Sequence, residues 1–206
     1  MPRYQEPQIT SRKLLDADPA HPETLTLGGA PSWYRYADGY KSAADLLVSR
    51  LSQRGIVAEG VCLPILFLYR HYVELSLKAI LLDLNELIDA IPGVQFERHP
   101  LLPLWNRLRQ RLDVYTGKNG TDWLDRAHGL ISELEGLDPT SFTFRYPVDK
   151  QGQVVLAEVS VNMHHVRDVM RELEMIFDGI AGYLGEHVQI SRELEREWRS
   201  EASYSY

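Results

Sequence analysis

The chain has 206 residues, of which 44% are hydrophobic and 25% charged, the proportions of an ordinary globular domain. Its formal net charge of −7, from 22 basic and 29 acidic residues, argues against a general nucleic-acid coat, because non-specific binding comes from neutralising phosphates. The single cysteine, Cys62, excludes an intramolecular disulfide and fits a reducing compartment. The first residues lack an apolar stretch of signal-peptide length, and the longest apolar run, "VCLPILFLY", is too short to span a bilayer. The expected location is therefore the cytoplasm, with no membrane contact.

Residues 1–31 hold five prolines and no periodicity, so an irregular N-terminal arm is expected there. Ser32 is placed to cap a first helix. Its apolar positions Trp33, Tyr36, Tyr40, Ala43, Leu47 and Leu51 step by three and four, with Gly55 as the stop. A second helix is expected from near Leu63 to about Asp89, with Pro64 in its first turn or, if the helix starts earlier, at a kink. "AIPGVQFERHP" breaks the chain. "LLPLWNRLRQRL" makes a third helix, and a fourth runs from a Thr121 cap to near Gly136.

The period then changes. Phe142, Phe144 and Tyr146 alternate, as do Val154 and Leu156, with Gly152 in the turn between them, so a small β-hairpin is expected over about 141–157. The last helix, from about Val161 to Arg199, is the longest, and residues 200–206 form a tail. The predicted fold is all-α: a helical bundle over residues 32–199 with a small β-hairpin before a long C-terminal helix.

The second helix carries the most informative pattern. Arg70, Glu74 and Lys78 follow at i, i+4 and i+8, and His71 lies three before Glu74, so all four share one side and Glu74 can pair with both cations. Ile65, Leu66, Phe67, Leu68, Tyr72, Val73, Leu75, Leu77, Ile80 and Leu81 fill the rest of the circumference, which places the helix at the centre of the bundle. Burying the charges unpaired would cost several kcal/mol. Two readings stay open: a structural ion-pair network, or a pocket in which His71 moves a proton and Arg70 and Lys78 hold a phosphate or carboxylate. His71, Glu74 and His99 lack a tight metal-ligand spacing, so no metal and no cofactor is expected.

"RHYVELSLKAIL" followed by "RHPLLPLW" resembles the HEPN superfamily, the higher eukaryote and prokaryote nucleotide-binding helical domains. Its members often show a Glu-x-x-x-Lys-Ala-like helix, here Glu74 to Ala79, and then His-x-Leu-x-x-Leu, here His99, Leu101 and Leu104. The resemblance covers roughly residues 40–112 and, more loosely, the last helix. It implies a HEPN-like bundle, and a cytoplasmic interaction or ligand- and nucleotide-binding module, in a bacterial defence or toxin–antitoxin setting. Many HEPN proteins are metal-independent RNases, and that branch carries Arg, four to six residues, then His. None of the seven histidines here has an arginine at that distance before it. A non-catalytic role is therefore favoured. The alternative is a divergent RNase with Arg70, His71 and Glu74 as its catalytic groups, acting on RNA. Lys78, His99 and Arg145 are the ligand-binding candidates.

Phosphate-loop, H-E-x-x-H and C-x-x-C motifs are absent from the sequence. Arg145 stands between Phe144 and Tyr146, and on a strand it would point away from both. In the last helix Met163, Val166, Met170, Leu173, Phe177, Ile180, Leu184, His187, Ser191, Leu194 and Trp198 form a heptad seam, and Gly179, Gly182 and Gly185 permit close backbone approach. The first half of the seam suits the bundle. The second half suits a homodimer contact through Leu194 and Trp198, or another protein.

Overall fold

A computed structural model of the chain describes residue 28 and residues 32–53, 58–88, 99–116 and 121–203. The expected arm over 1–31 (Gly28 apart), the stop at Gly55 and most of the break after the second helix lie outside the described residues. Five helices follow in order: α1 Trp33–Arg50, α2 Ala58–Ile88, α3 Leu101–Thr116, α4 Thr121–Leu137 and α5 Met163–Ser203. All belong to the unit Ser32–Tyr206. Among the described residues, no helix is long and apolar enough to cross a membrane.

α2 is the central element, packing against α1, α3 and α5. Its residues from Tyr72 to Leu81 are all buried, as a helix apolar on most sides requires. It starts at Ala58, so Pro64 sits inside it, where the missing N–H takes one bond out of the i→i−4 ladder. α1 begins as the sequence implies, with the Ser32 hydroxyl accepting from the Arg35 N–H at 3.3 Å. Of the expected face, Trp33, Tyr40, Leu47 and Leu51 pack against the core, but the deepest row lies beside it. Ala37, Lys41, Ala44 and Val48 face inward, while Tyr36 is 59% exposed. Small alanines at these deepest positions suit the packing of α1 on α2. Lys41 is tolerated there because Asp45 and Glu174 receive its ammonium at 2.9 and 2.8 Å.

The expected β-hairpin does not form. No strand occurs among the described residues, and the segment holds one isolated antiparallel bridge, Val148 to Val154. Residues 142–146 turn instead, with the N–H groups of Arg145 and Tyr146 both donating to the Phe142 carbonyl. The alternating aromatics thus belong to a turn, which the Asp138 carboxylate holds by accepting from the Phe142 and Thr143 N–H groups.

α5 starts with Asn162, whose side-chain oxygen accepts from the N–H groups of His164 and His165 at 3.0 and 3.1 Å. The helix runs through Ser203, past the expected end at Arg199. Met170, Leu173, Phe177, Ile180 and Leu184 are buried, and Val188 is the last buried one among the residues whose burial is described. Among the described residues, Gly179, Gly182 and Gly185 do not serve close packing: a methyl group at any of them would meet nothing within 4 Å.

Candidate functional site

The polar stripe of α2 lies where α2, the start of α3 and the end of α4 meet. Arg70 is fully buried. Its guanidinium can be dry because its donors meet acceptors from four directions. Nε donates to the Asp138 carbonyl at 3.0 Å and Nη2 to the His99 carbonyl at 2.9 Å. Nη1 reaches Glu74 Oε2 at 3.4 Å. Glu135 and Asp138 add carboxylate oxygens at 3.8 and 3.6 Å.

Glu74, one turn on, is 1% exposed, and its Oε1 receives Lys78 Nζ at 2.7 Å and faces His99 Nδ1 at 3.0 Å. An ionised carboxylate only accepts, so Nδ1 is the donor in that contact. Lys78 is buried at 3%, whereas the His99 ring is 53% exposed. The i, i+4 spacing thus brings Arg70, Glu74 and Lys78 together as anticipated, and His99, just ahead of α3, closes the group.

Two partners of Arg70 were not legible in the sequence. Glu135, near the end of α4, caps α3 by accepting the Leu101 N–H at 2.7 Å. Asp138 follows α4 and is fully buried. Its Oδ1 accepts from Phe142 and Thr143 N–H at 2.7 and 2.9 Å, while Oδ2 has no hydrogen bond and looks toward Arg70 Nε. This turn carries Ser141 at φ 60, a left-handed conformation that costs a non-glycine residue about 1–2 kcal/mol. "DPTS" is a readable turn signal, but nothing local announces that an arginine 68 residues earlier will hold it.

His71 leaves this network. Adjacent helical residues point about 100° apart, and the imidazole is half-buried between two rings. Tyr40 meets it edge-on at 4.4 Å between centroids, and Phe67 stacks on it at 5.8 Å. Neither ring nitrogen has a hydrogen-bond partner among the described residues. Burial holds its pKa below the ordinary imidazole value; Glu74 pulls it up, and Lys78, His99 and Arg70 push it down.

Arg145 is exposed. Its guanidinium donates to the Ser141 carbonyl and lies 5.7 Å from the ring centroids of both Phe67 and Tyr146. It therefore does not point away from Tyr146, because the segment is not a strand. Tyr146 stacks on Phe142 at 4.3 Å. A continuous ladder results: Tyr40, His71, Phe67, Arg145, Tyr146, Phe142. It joins α1, α2 and the turn after α4.

No protein-family model, curated protein or solved structure matches the chain. The chemistry of the site must be read from its own geometry. Arg70, Glu74 and Lys78 are internal struts, whereas His71, His99 and Arg145 keep surface access. Among the described residues, no three His, Cys, Asp or Glu side chains are grouped to hold a metal ion.

A second feature escaped the sequence reading altogether. Trp123 and Leu124 of α4 and Ile176, Gly179 and Ile180 of α5 line an open groove of about 890 Å³. At its rim Arg126 and Glu172 form a two-pronged ion pair at 2.8 Å.

Proposed function

We propose that the protein is a non-catalytic, HEPN-like binding module. It takes a flat, anionic ligand of the nucleotide class, free or within RNA, on the Tyr40–His71–Phe67–Arg145 ladder. It pairs with a second copy through Leu194 and Trp198, and it works in the cytoplasm within a bacterial defence or toxin–antitoxin system. The observation that carries this reading is the state of Arg70. A guanidinium at zero exposure, bonded to two backbone carbonyls and to Glu74 and flanked by two further carboxylates, is closed to a phosphate from outside. The stripe is then framework, and ligand chemistry falls to the groups left open. Arg145 supplies positive charge, and the exposed Tyr146 ring offers a face for a base, an interaction of roughly 1–3 kcal/mol per base.

Titration with adenine and guanine nucleotides and a short labelled RNA tests this directly. Binding weakened at least tenfold by Arg145→Ala, with the melting temperature kept, is the expected result. No binding by wild type, or equal binding by the variant, refutes it.

A second reading is a divergent metal-independent RNase. It draws on His71, whose lowered pKa leaves a neutral imidazole able to accept a proton. In that reading His71 touches the substrate, and Arg70 and Glu74 act only by positioning. Cleavage of labelled RNA that disappears with His71→Ala would replace the binding-only reading with this one.

A further inference from the structure

We propose that the α4–α5 groove is the receptor for the C-terminal turns of α5 from a second copy of the chain. This rests on the pairing through Leu194 and Trp198 proposed above and adds where those side chains land.

α5 outruns its own body. After Val188 it continues through Ser203, about 22 Å of helix, and Ile190, Leu194 and Trp198 stand 51%, 51% and 75% exposed. Upstream, the same helix leaves a second row open: Met175 at 68% exposure, Gly179, and Tyr183 at 41%. Each row steps by four residues and so forms one ridge on the helix surface. The two rows mirror each other. Reversal about the midpoint between Glu186 and His187 carries 175 onto 198, 179 onto 194 and 183 onto 190.

That reversal is what a two-fold axis across an antiparallel helix pair demands. With the axis there, Trp198 of one copy meets Met175 of the other, Leu194 drops over Gly179, and Ile190 lies beside Tyr183. Symmetry repeats the set. Gly179 suits this role because nothing among the described residues lies within 4 Å of where its Cβ would be, leaving room for a leucine side chain. At the axis Glu186 of each copy faces His187 of the other, an acid against a histidine rather than like against like. Trp123, 40% exposed at the groove wall, extends the apolar floor. Together these side chains offer on the order of 600–700 Å² per copy, near the roughly 800 Å² per partner of a standard specific interface. An unrelated partner would have no use for the reversal, so a second copy is the occupant.

Light scattering on the full chain supplies the first test. Wild type at micromolar concentration is expected at twice its 23.7 kDa chain mass. Gly179→Leu fills the seat of Leu194 and is expected to give monomer without lowering the melting temperature, since no described residue is displaced. Trp198→Glu is expected to give monomer as well. A second test uses Gly179→Cys with Leu194→Cys in a Cys62→Ser background. The two positions are 15 residues apart on one helix, about 22 Å, so a disulfide between them can only join two copies. A covalent dimer on oxidation is expected.

A wild-type monomer overturns both the pairing and this inference. A dimer broken by Trp198→Glu but intact with Gly179→Leu, and yielding no 179–194 cross-link, keeps the pairing and overturns the groove as its receptor. A dimer unaffected by either substitution overturns both.

Discussion

Replacing Glu74 with alanine is expected to cost about 3–5 kcal/mol of folding stability, the range for breaking a buried ion pair from one side. Glu74 is 1% exposed and faces Arg70, Lys78 and His99 at once. Its removal leaves a fully buried guanidinium and a buried ammonium without their shared carboxylate. Arg70 keeps Asp138 and Glu135, which holds the loss within that range. For a chain of this size each kcal/mol moves the melting temperature by about 2–4 °C, so the midpoint should fall by about 6–20 °C. The assay is thermal unfolding followed by far-UV circular dichroism, with a urea series as a check. A Glu74→Leu, Lys78→Met double variant, which removes both charges, is expected to recover at least half the loss. A Glu74→Ala midpoint within 2 °C of wild type, with helical content unchanged, would refute the buried-strut account of the stripe.

Asn162→Ala removes the α5 cap and should lower stability by about 1 kcal/mol, seen as a drop of about 2–4 °C in the same melt. Burial, and for Tyr69 the Asp45 carboxylate as well, pushes the Tyr69 and Tyr72 phenols well above the ordinary value. Above about pH 10 the unfolded chain releases these protons and the folded chain keeps them, so stability should fall by about 3 kcal/mol per pH unit from the pair. Both rings should ionise only as the protein unfolds, which absorbance near 295 nm will register. Desolvation lowers the pKa of His71, so the folded chain resists a proton that the unfolded chain accepts at its usual value of 6.5. Stability from this group is therefore complete above that value and is lost as pH falls below it, a dependence that His71→Phe should flatten in denaturant titrations from pH 7 to 5.

The helices were legible because their apolar spacing matches 3.6 residues per turn, and the centrality of α2 followed from its nearly unbroken apolar circumference. The Arg70–Glu74–Lys78 pairing was legible for the same reason: it is local, fixed by one turn of helix. What stayed hidden was long-range or backbone-borne. Glu135 and Asp138 lie 65 and 68 residues from Arg70, and no spacing rule links positions so far apart. The 141–157 segment was misread because alternating aromatics look alike on a strand and on a turn; the buried Asp138 side chain decided between them by taking two backbone N–H groups. The face of α1 was legible in part: Trp33, Tyr40, Leu47 and Leu51 reach the core, whereas the exposed Tyr36 and the buried Ala37 and Ala44 show that side-chain size alone does not fix which row lies deepest. The groove was invisible since Trp123, Ile176 and Gly179 come from two helices whose relation only the fold supplies.

Arg70 has a further consequence for how the gene can vary. Its Nη2 grips the His99 carbonyl, immediately ahead of α3. The start of α3 is therefore fixed by α2 itself and by the Glu135 cap, not by the length of chain over residues 89–98. Closing a longer connection costs only about 0.6 kcal/mol per doubling of its length. Insertions and deletions should thus accumulate just before residue 98 and stop abruptly at His99, while the mirror rule holds after α4, where the Arg70 grip on Asp138 forbids even a single-residue slip.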